Sequence, residues 1–113
     1  WGSLYHEHGR KILAKNLDAE GKNLKPEKWN TYEVLAVEHR IWLAINRKIT
    51  VALRDPIGEL EGQISLQVHG GMPPKVIYKD LVLERNPVVK IHGMNETELN
   101  KLLELAPKGF IKP

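Results

Sequence analysis

Gly62-Gln63-Ile64-Ser65-Leu66-Gln67-Val68-His69 is the stretch whose reading decides the fold. Ile64, Leu66 and Val68 fall on one side of an extended chain, and Gln63, Ser65, Gln67 and His69 on the other. Strict period-two alternation is the pattern of a half-buried strand, not of a helix. Gly70-Gly71-Met72-Pro73-Pro74 breaks the run, because glycine permits positive φ and proline removes donors. Lys75 to Glu84 then reads as a second strand, with Val76, Tyr78, Asp80 and Val82 on one side. Its register slips near Asp80, the mark of a bulge or of a change of partner strand. The polar face of the first strand carries amide, hydroxyl, amide and imidazole groups and no charge. Such a row suits a neutral polyol such as a sugar, or an ordinary solvated face.

At 113 residues the chain has room for one domain. Nine glycines and seven prolines, spread among short alternating runs, point to all-β structure. The absence of cysteine excludes disulfides and thiol chemistry. The net charge is +3, and the 17 basic residues are interleaved with 14 acidic ones, so no basic stripe offers itself to nucleic acid. The longest apolar run, Ile41 to Ile45, is far too short for a transmembrane segment. The chain opens on Trp1 without a methionine, and the expectation is that it begins inside a domain.

Around the organising stretch the other elements follow in order. Trp1 to Tyr5 reads as the end of a strand, and Lys11 to Lys15 as a short apolar one. Between them, His6 and His8 stand at a spacing that metal sites use on a strand, but with no third ligand nearby no metal is expected. Glu7 and Arg10 there are candidates to bind polar groups of a ligand, or each other. Trp29 to Val37, Ile41 to Ile45 and Ile49 to Leu53 form three consecutive hairpin strands, a meander. The turns between them are Glu38-His39-Arg40 and Asn46-Arg47-Lys48, and Arg54 to Gly58 makes a further turn. Ile41, Leu43 and Ile45 make a core face. Trp42 and Ala44 lie opposite, so that Trp42 is either a platform on which a sugar stacks or a lid over a second core layer. After Asn86-Pro87 the character changes. Asn95 followed by Glu98 is a capping-box pattern, and Leu99, Leu102, Leu103 and Ala106 follow at helical spacing, predicting a helix over about 95–106. Its leucine stripe must dock on something.

Trp29-Asn30-Thr31-Tyr32-Glu33-Val34, the Asn46 turn and Gly62 to Gly71 together resemble the 3-keto-disaccharide hydrolase domain family, placed among concanavalin-like jelly rolls. Gly2-Ser3-Leu4-Tyr5 with Glu7, Gly9 and Arg10 is similar to that family's mid-domain strand and loop, and Lys75 to Glu84 to its closing strand. The resemblance covers about residues 1–86, leaving 87–113 as a C-terminal extension. It implies an all-β antiparallel sandwich, incomplete in this chain, with a concave sugar-binding face and one added short helix. It further implies a secreted or periplasmic bacterial protein that cleaves glycosides oxidised at the sugar 3-position. The 3-keto group acidifies the neighbouring C–H, so that proton abstraction and elimination of the glycosidic oxygen, then hydration, break the bond. That chemistry needs a base and a donor to the developing enolate oxygen. By motif position and strand face, His69 or Glu7 is the candidate base and Arg10 or Gln67 the donor, with no cofactor; Trp42, from its strand face alone, is a further substrate-binding candidate.

The family domain is longer, its usual Asn-Gly turn is Asn46-Arg47 here, and the Glu38-His39 turn lacks the expected Gly-Asn character. The expectation is therefore that an N-terminal half, or a protein partner, completes the sandwich and covers otherwise unpaired strand edges. Three functions stand against one another: a keto-glycoside hydrolase or lyase acting on a saccharide, a non-catalytic carbohydrate-binding module, and a structural or docking subunit of a larger assembly.

Overall fold

The computed structural model describes residues 3–6, 10–15, 17, 24–66 and 76–106. They form an all-β architecture with one short helix. A hairpin of β1 (Leu4–His6) and β2 (Lys11–Ala14) makes one sheet. The other contains β3 (Tyr32–Val37), β4 (Arg40–Ile45), β5 (Lys48–Arg54) and β6 (Glu104–Leu105), in that spatial order. Pairing is antiparallel except between β5 and β6, which run parallel. Helix α1 (Glu96–Lys101) precedes β6. No helix among the described residues is long and apolar enough to cross a membrane.

β4 is the centre, and its sequence explains why. Arg40-Ile41-Trp42-Leu43-Ala44-Ile45 is apolar on both sides of the pleat after its first residue, a composition that demands a layer on each face. The register sets Leu35 opposite Trp42 and Trp42 opposite Ala52, so these three line one face. Ile91 and Leu99 from the C-terminal segment close over them. On the other face Leu43, Val51 and Leu53 pack with Ala106 and with Leu4, Leu13 and Ala14 of the β1–β2 hairpin. The two sheets thus pack face to face, and the helix covers the outer side of the larger one. Thr50 is the extra residue of a bulge: Leu43 faces Val51 while Ala44 faces Ile49.

The β4–β5 turn forms without glycine. Asn46 and Arg47 take φ of 50° and 71°, both left-handed, the pair of conformations that a two-residue type I′ hairpin requires. Asn46 tolerates this and accepts a hydrogen bond from Thr31 N–H at 3.0 Å through its side chain. Arg47 has no such compensation in its residue type. Arg47→Gly is therefore expected to raise stability by about 0.5–1 kcal/mol, read as a higher urea midpoint at unchanged slope. A lower midpoint would show that Arg47 is not strained there.

The capping box forms as its pattern predicts. Asn95 Oδ1 accepts from Glu98 N–H at 2.9 Å, and Glu98 Oε1 from Asn95 N–H at 3.4 Å. The helix is shorter than its leucine spacing suggests, ending at Leu102 rather than running to Ala106. The reason is the free edge of β5. Glu104 and Leu105 pair with Leu53 and Arg54, and Ala106 N–H donates to Arg54 O at 2.8 Å, so the sheet takes up the chain that would have extended the helix. A six-residue helix is unstable alone. This one is held by fully buried Leu99, a burial that contributes about 1.5–3 kcal/mol. Arg40, nearly buried, adds hydrogen bonds to Glu96 Oε1 at 2.9 Å and Asn100 Oδ1 at 3.0 Å.

The stretch from 62 to 84 departs from expectation. Its described parts, 62–66 and 76–84, form no strand. Ile64 is 76% exposed and Val82 91% exposed, and Leu66, Leu81 and Leu83 are exposed too, so none of them seals the interior. Alternation buries a face only where a neighbouring strand supplies backbone partners and another layer supplies contacts. Among the described residues no strand pairs with these segments, although Lys79 Nζ lies 4.0 Å from the centroid of the Trp29 ring. The slip at Asp80 has a local counterpart in its left-handed φ of 55°.

Candidate functional site

The chemistry gathers where the β1–β2 hairpin meets the end of β5. Asp55 follows β5 directly and is nearly buried. Its N–H donates to His39 O at 2.8 Å, which ties it to the β3–β4 turn. The turn Asp55-Pro56-Ile57-Gly58 folds back on the carboxylate: Gly58 N–H donates to Asp55 O at 3.3 Å, and Ile57 N–H hydrogen-bonds the carboxylate. Glycine is required at position 58, because a Cβ there would lie 2.6 Å from Asp55 Oδ2.

Arg10, at the tip of the hairpin, reaches this carboxylate in a two-pronged pair. One terminal nitrogen donates to Oδ1 at 2.7 Å and the other to Oδ2 at 2.5 Å, with side chains only 8% and 6% exposed. The planar fork of guanidinium matches a carboxylate, and charge-assisted bonds of this kind are the strong ones. Hydrogen bonds from Arg10 hold the Asp55 carboxyl below the usual carboxylate range; burial opposes them, while Arg10's charge and Ile57 N–H assist. The same bonds raise the affinity of Arg10 for its proton, against burial. The rest of Arg10 addresses His6. Nε donates to His6 Nδ1 at 3.2 Å, and the Arg10 backbone N–H donates to the same atom at 3.3 Å.

These groups border an open cavity of about 290 Å³, walled also by Leu4, Leu13 and the turn residues Glu38 and His39. Glu38 adopts a left-handed φ of 56°, and His39 Nδ1 is buried without a hydrogen-bond partner among the described residues. A strained turn and an orphaned ring nitrogen on one cavity wall are the kind of local cost found where function constrains the chain. No group of three metal-ligating side chains occurs among the described residues.

Of the residues singled out in the sequence, Arg10 lies on this wall, held by Asp55 and His6. Trp42 does not: it is fully enclosed, and its Nε1–H donates to Leu99 O at 2.9 Å. It is the lid of a second core layer and has no face to offer a sugar, because β4 is covered on both sides. Glu7, Gln67 and His69 lie outside the described residues. Asp55 and His39 were legible only as turn residues. The Asp-Pro-x-Gly signature marks Asp55 as a turn former, but nothing local links it to an arginine 45 positions away. His6, noted for its spacing from His8, accepts from Arg10 instead.

Comparisons with curated proteins and with solved structures found no match. A protein-family model, described as a 3-keto-alpha-glucoside-1,2-lyase-like domain, matches residues 1–84. That span holds the cavity and five of the six strands among the described residues, and by it this chain belongs to the 3-keto-disaccharide hydrolase family, whose character is carbohydrate-related.

Proposed function

We propose that this chain is a carbohydrate-active domain that cleaves 3-keto-glycosides by proton abstraction and elimination, and that it works in the bacterial periplasm or outside the cell. The observation that carries the reading is the cavity beside the Asp55–Arg10 pair, all of whose walls fall within the family-matched span. Arg10 places fixed positive charge at its edge, suited to an oxygen on which charge develops. His69 and Glu7 are the base candidates, and Gln67 joins Arg10 in holding the saccharide. In sequence, Glu7 directly follows the wall residue His6.

The test is turnover of a 3-keto-disaccharide by the wild type, His69→Ala and Glu7→Ala. Loss of the base is expected to lower kcat by about 10²–10⁴-fold. Unchanged turnover in His69→Ala with loss in Glu7→Ala assigns the base to Glu7. No turnover by the wild type ends the enzymatic reading. Cell fractionation checks the compartment.

A docking subunit is the second reading, and one observation favours it: Leu81, Val82 and Leu83 are exposed in succession, an apolar run of the kind that marks an interaction surface. Co-purification with a larger complex, without affinity for sugar, would select it.

A further inference from the structure

We propose that His6 is the hydrogen-bond donor to the keto oxygen, presented through its Nε2–H by the Asp55–Arg10 couple; this rests on the keto-glycoside reading above. The inference begins at Asp55. Its two carboxylate oxygens take one bond each from the terminal nitrogens of Arg10, at 2.7 and 2.5 Å, which fixes the plane of the guanidinium. With that plane fixed, Nε points at His6 Nδ1 at 3.2 Å, and the Arg10 backbone N–H approaches the same atom at 3.3 Å. A hydrogen on Nδ1 would meet two N–H groups head-on. Nδ1 is therefore the acceptor of the ring, and the ring hydrogen resides on Nε2. No described protein group accepts from Nε2, and His6 itself is exposed and borders the cavity.

The consequence is a neutral imidazole whose remaining polar atom is a donor. Such a group cannot take the C2 proton at Nε2, but it can hold an oxygen that gains charge. In the reaction the base removes the hydrogen from C2. The C–H electron pair forms the C2=C3 double bond, and the C3=O pair moves onto oxygen, where Nε2–H bonds it without transferring its hydrogen. The enolate then re-forms C3=O, the C1=C2 double bond forms, the C1–O bond breaks, and the departing alkoxide takes the proton held by the base. His6 acts only on the oxygen. The separate base is supplied elsewhere in the chain; toward His6, Asp55 and Arg10 are positioning residues, and the charge of Arg10 adds to the field at the same oxygen.

The test uses p-nitrophenyl 3-keto-α-glucoside with wild type, His6→Ala and His6→Gln. His6→Ala is expected to lower kcat by about 10²–10³-fold with KM little changed, and free imidazole is expected to restore part of the loss. His6→Gln, which keeps an N–H donor, is expected to fall between the two. Exchange of the C2 hydrogen in D2O should fall in step with kcat, because the enolate forms in that same step. A kcat for His6→Ala within about twofold of wild type, or no rescue by imidazole in a variant that melts like wild type, overturns the proposal while leaving the keto-glycoside reading in place. Wild-type protein that neither exchanges nor cleaves the probe overturns the underlying reading instead.

Discussion

Replacing Trp42 by alanine is expected to lower the unfolding free energy by about 3–5 kcal/mol, a large share of the roughly 5–15 kcal/mol that a domain of this size has. Trp42 is fully buried between Leu35 and Ala52 on its own sheet and Leu99 above it. Removing the indole opens a cavity and also strips Leu99 O of the N–H that it accepts at 2.9 Å. Arg40, whose guanidinium carbon sits 5.5 Å from the ring centroid, loses its apolar floor as well. Helix α1 should loosen first, because Leu99 and Arg40 are its main ties to the sheet. Trp42→Phe is expected to cost less, since it fills most of the space but leaves the carbonyl without its donor. Chemical denaturation reads the global loss, and amide exchange at residues 96–101 reads the helix. A tryptophan that served as a sugar platform would show the opposite pattern, with near-native stability and lost binding.

The second large effect is at Asp55. Asp55→Ala leaves a nearly buried guanidinium without its counter-charge, a change that costs about 3–5 kcal/mol at comparable sites. It also frees the β1–β2 hairpin from the end of β5, so the cavity should lose its shape along with its stability. The pH dependence carries a definite sign. Because Asp55 titrates lower in the folded protein than in the unfolded chain, the pair's contribution is fully present above the ordinary carboxylate range, about pH 4–5. It is lost as pH falls through the lowered folded-state value, since the unfolded chain takes up the proton first. Asp55→Asn removes that acid-side loss while keeping the size of the side chain. The wild type should therefore lose stability between about pH 5 and 2 more steeply than Asp55→Asn does. Equal acid limbs would show that the pair carries no linkage.

The meander of β3, β4 and β5 was legible because its pattern answers to local geometry. Alternating or wholly apolar runs of five or six residues bounded by turns have few other ways to fold. The capping box at Asn95 and Glu98 was legible for the same reason, since its groups lie within one helical turn. The end of the helix was not, because the competing edge of β5 is some fifty residues away in sequence. Residues 62–69 and 75–84 read as strands, yet the described parts join no sheet and are mostly exposed. Their alternation states a condition for burial, and whether a partner meets that condition is not a property of the segment. Trp42 was legible as either platform or core. The choice depended on what lies above β4, which Ile91 and Leu99 decide. Arg10 was picked out from the motif around it, but its partner Asp55 could be found only by folding the chain.

The most direct measurement is an amide-resolved titration of the isotope-labelled protein with a 3-keto-disaccharide. Saturable shifts at His6, Arg10, His39, Asp55 and Gly58, with Leu99 and Trp42 unmoved, are the expected result. Saturable shifts confined to 61–66 and 76–84, or no shifts at all at saturating sugar, would contradict a saccharide site beside the Asp55–Arg10 pair.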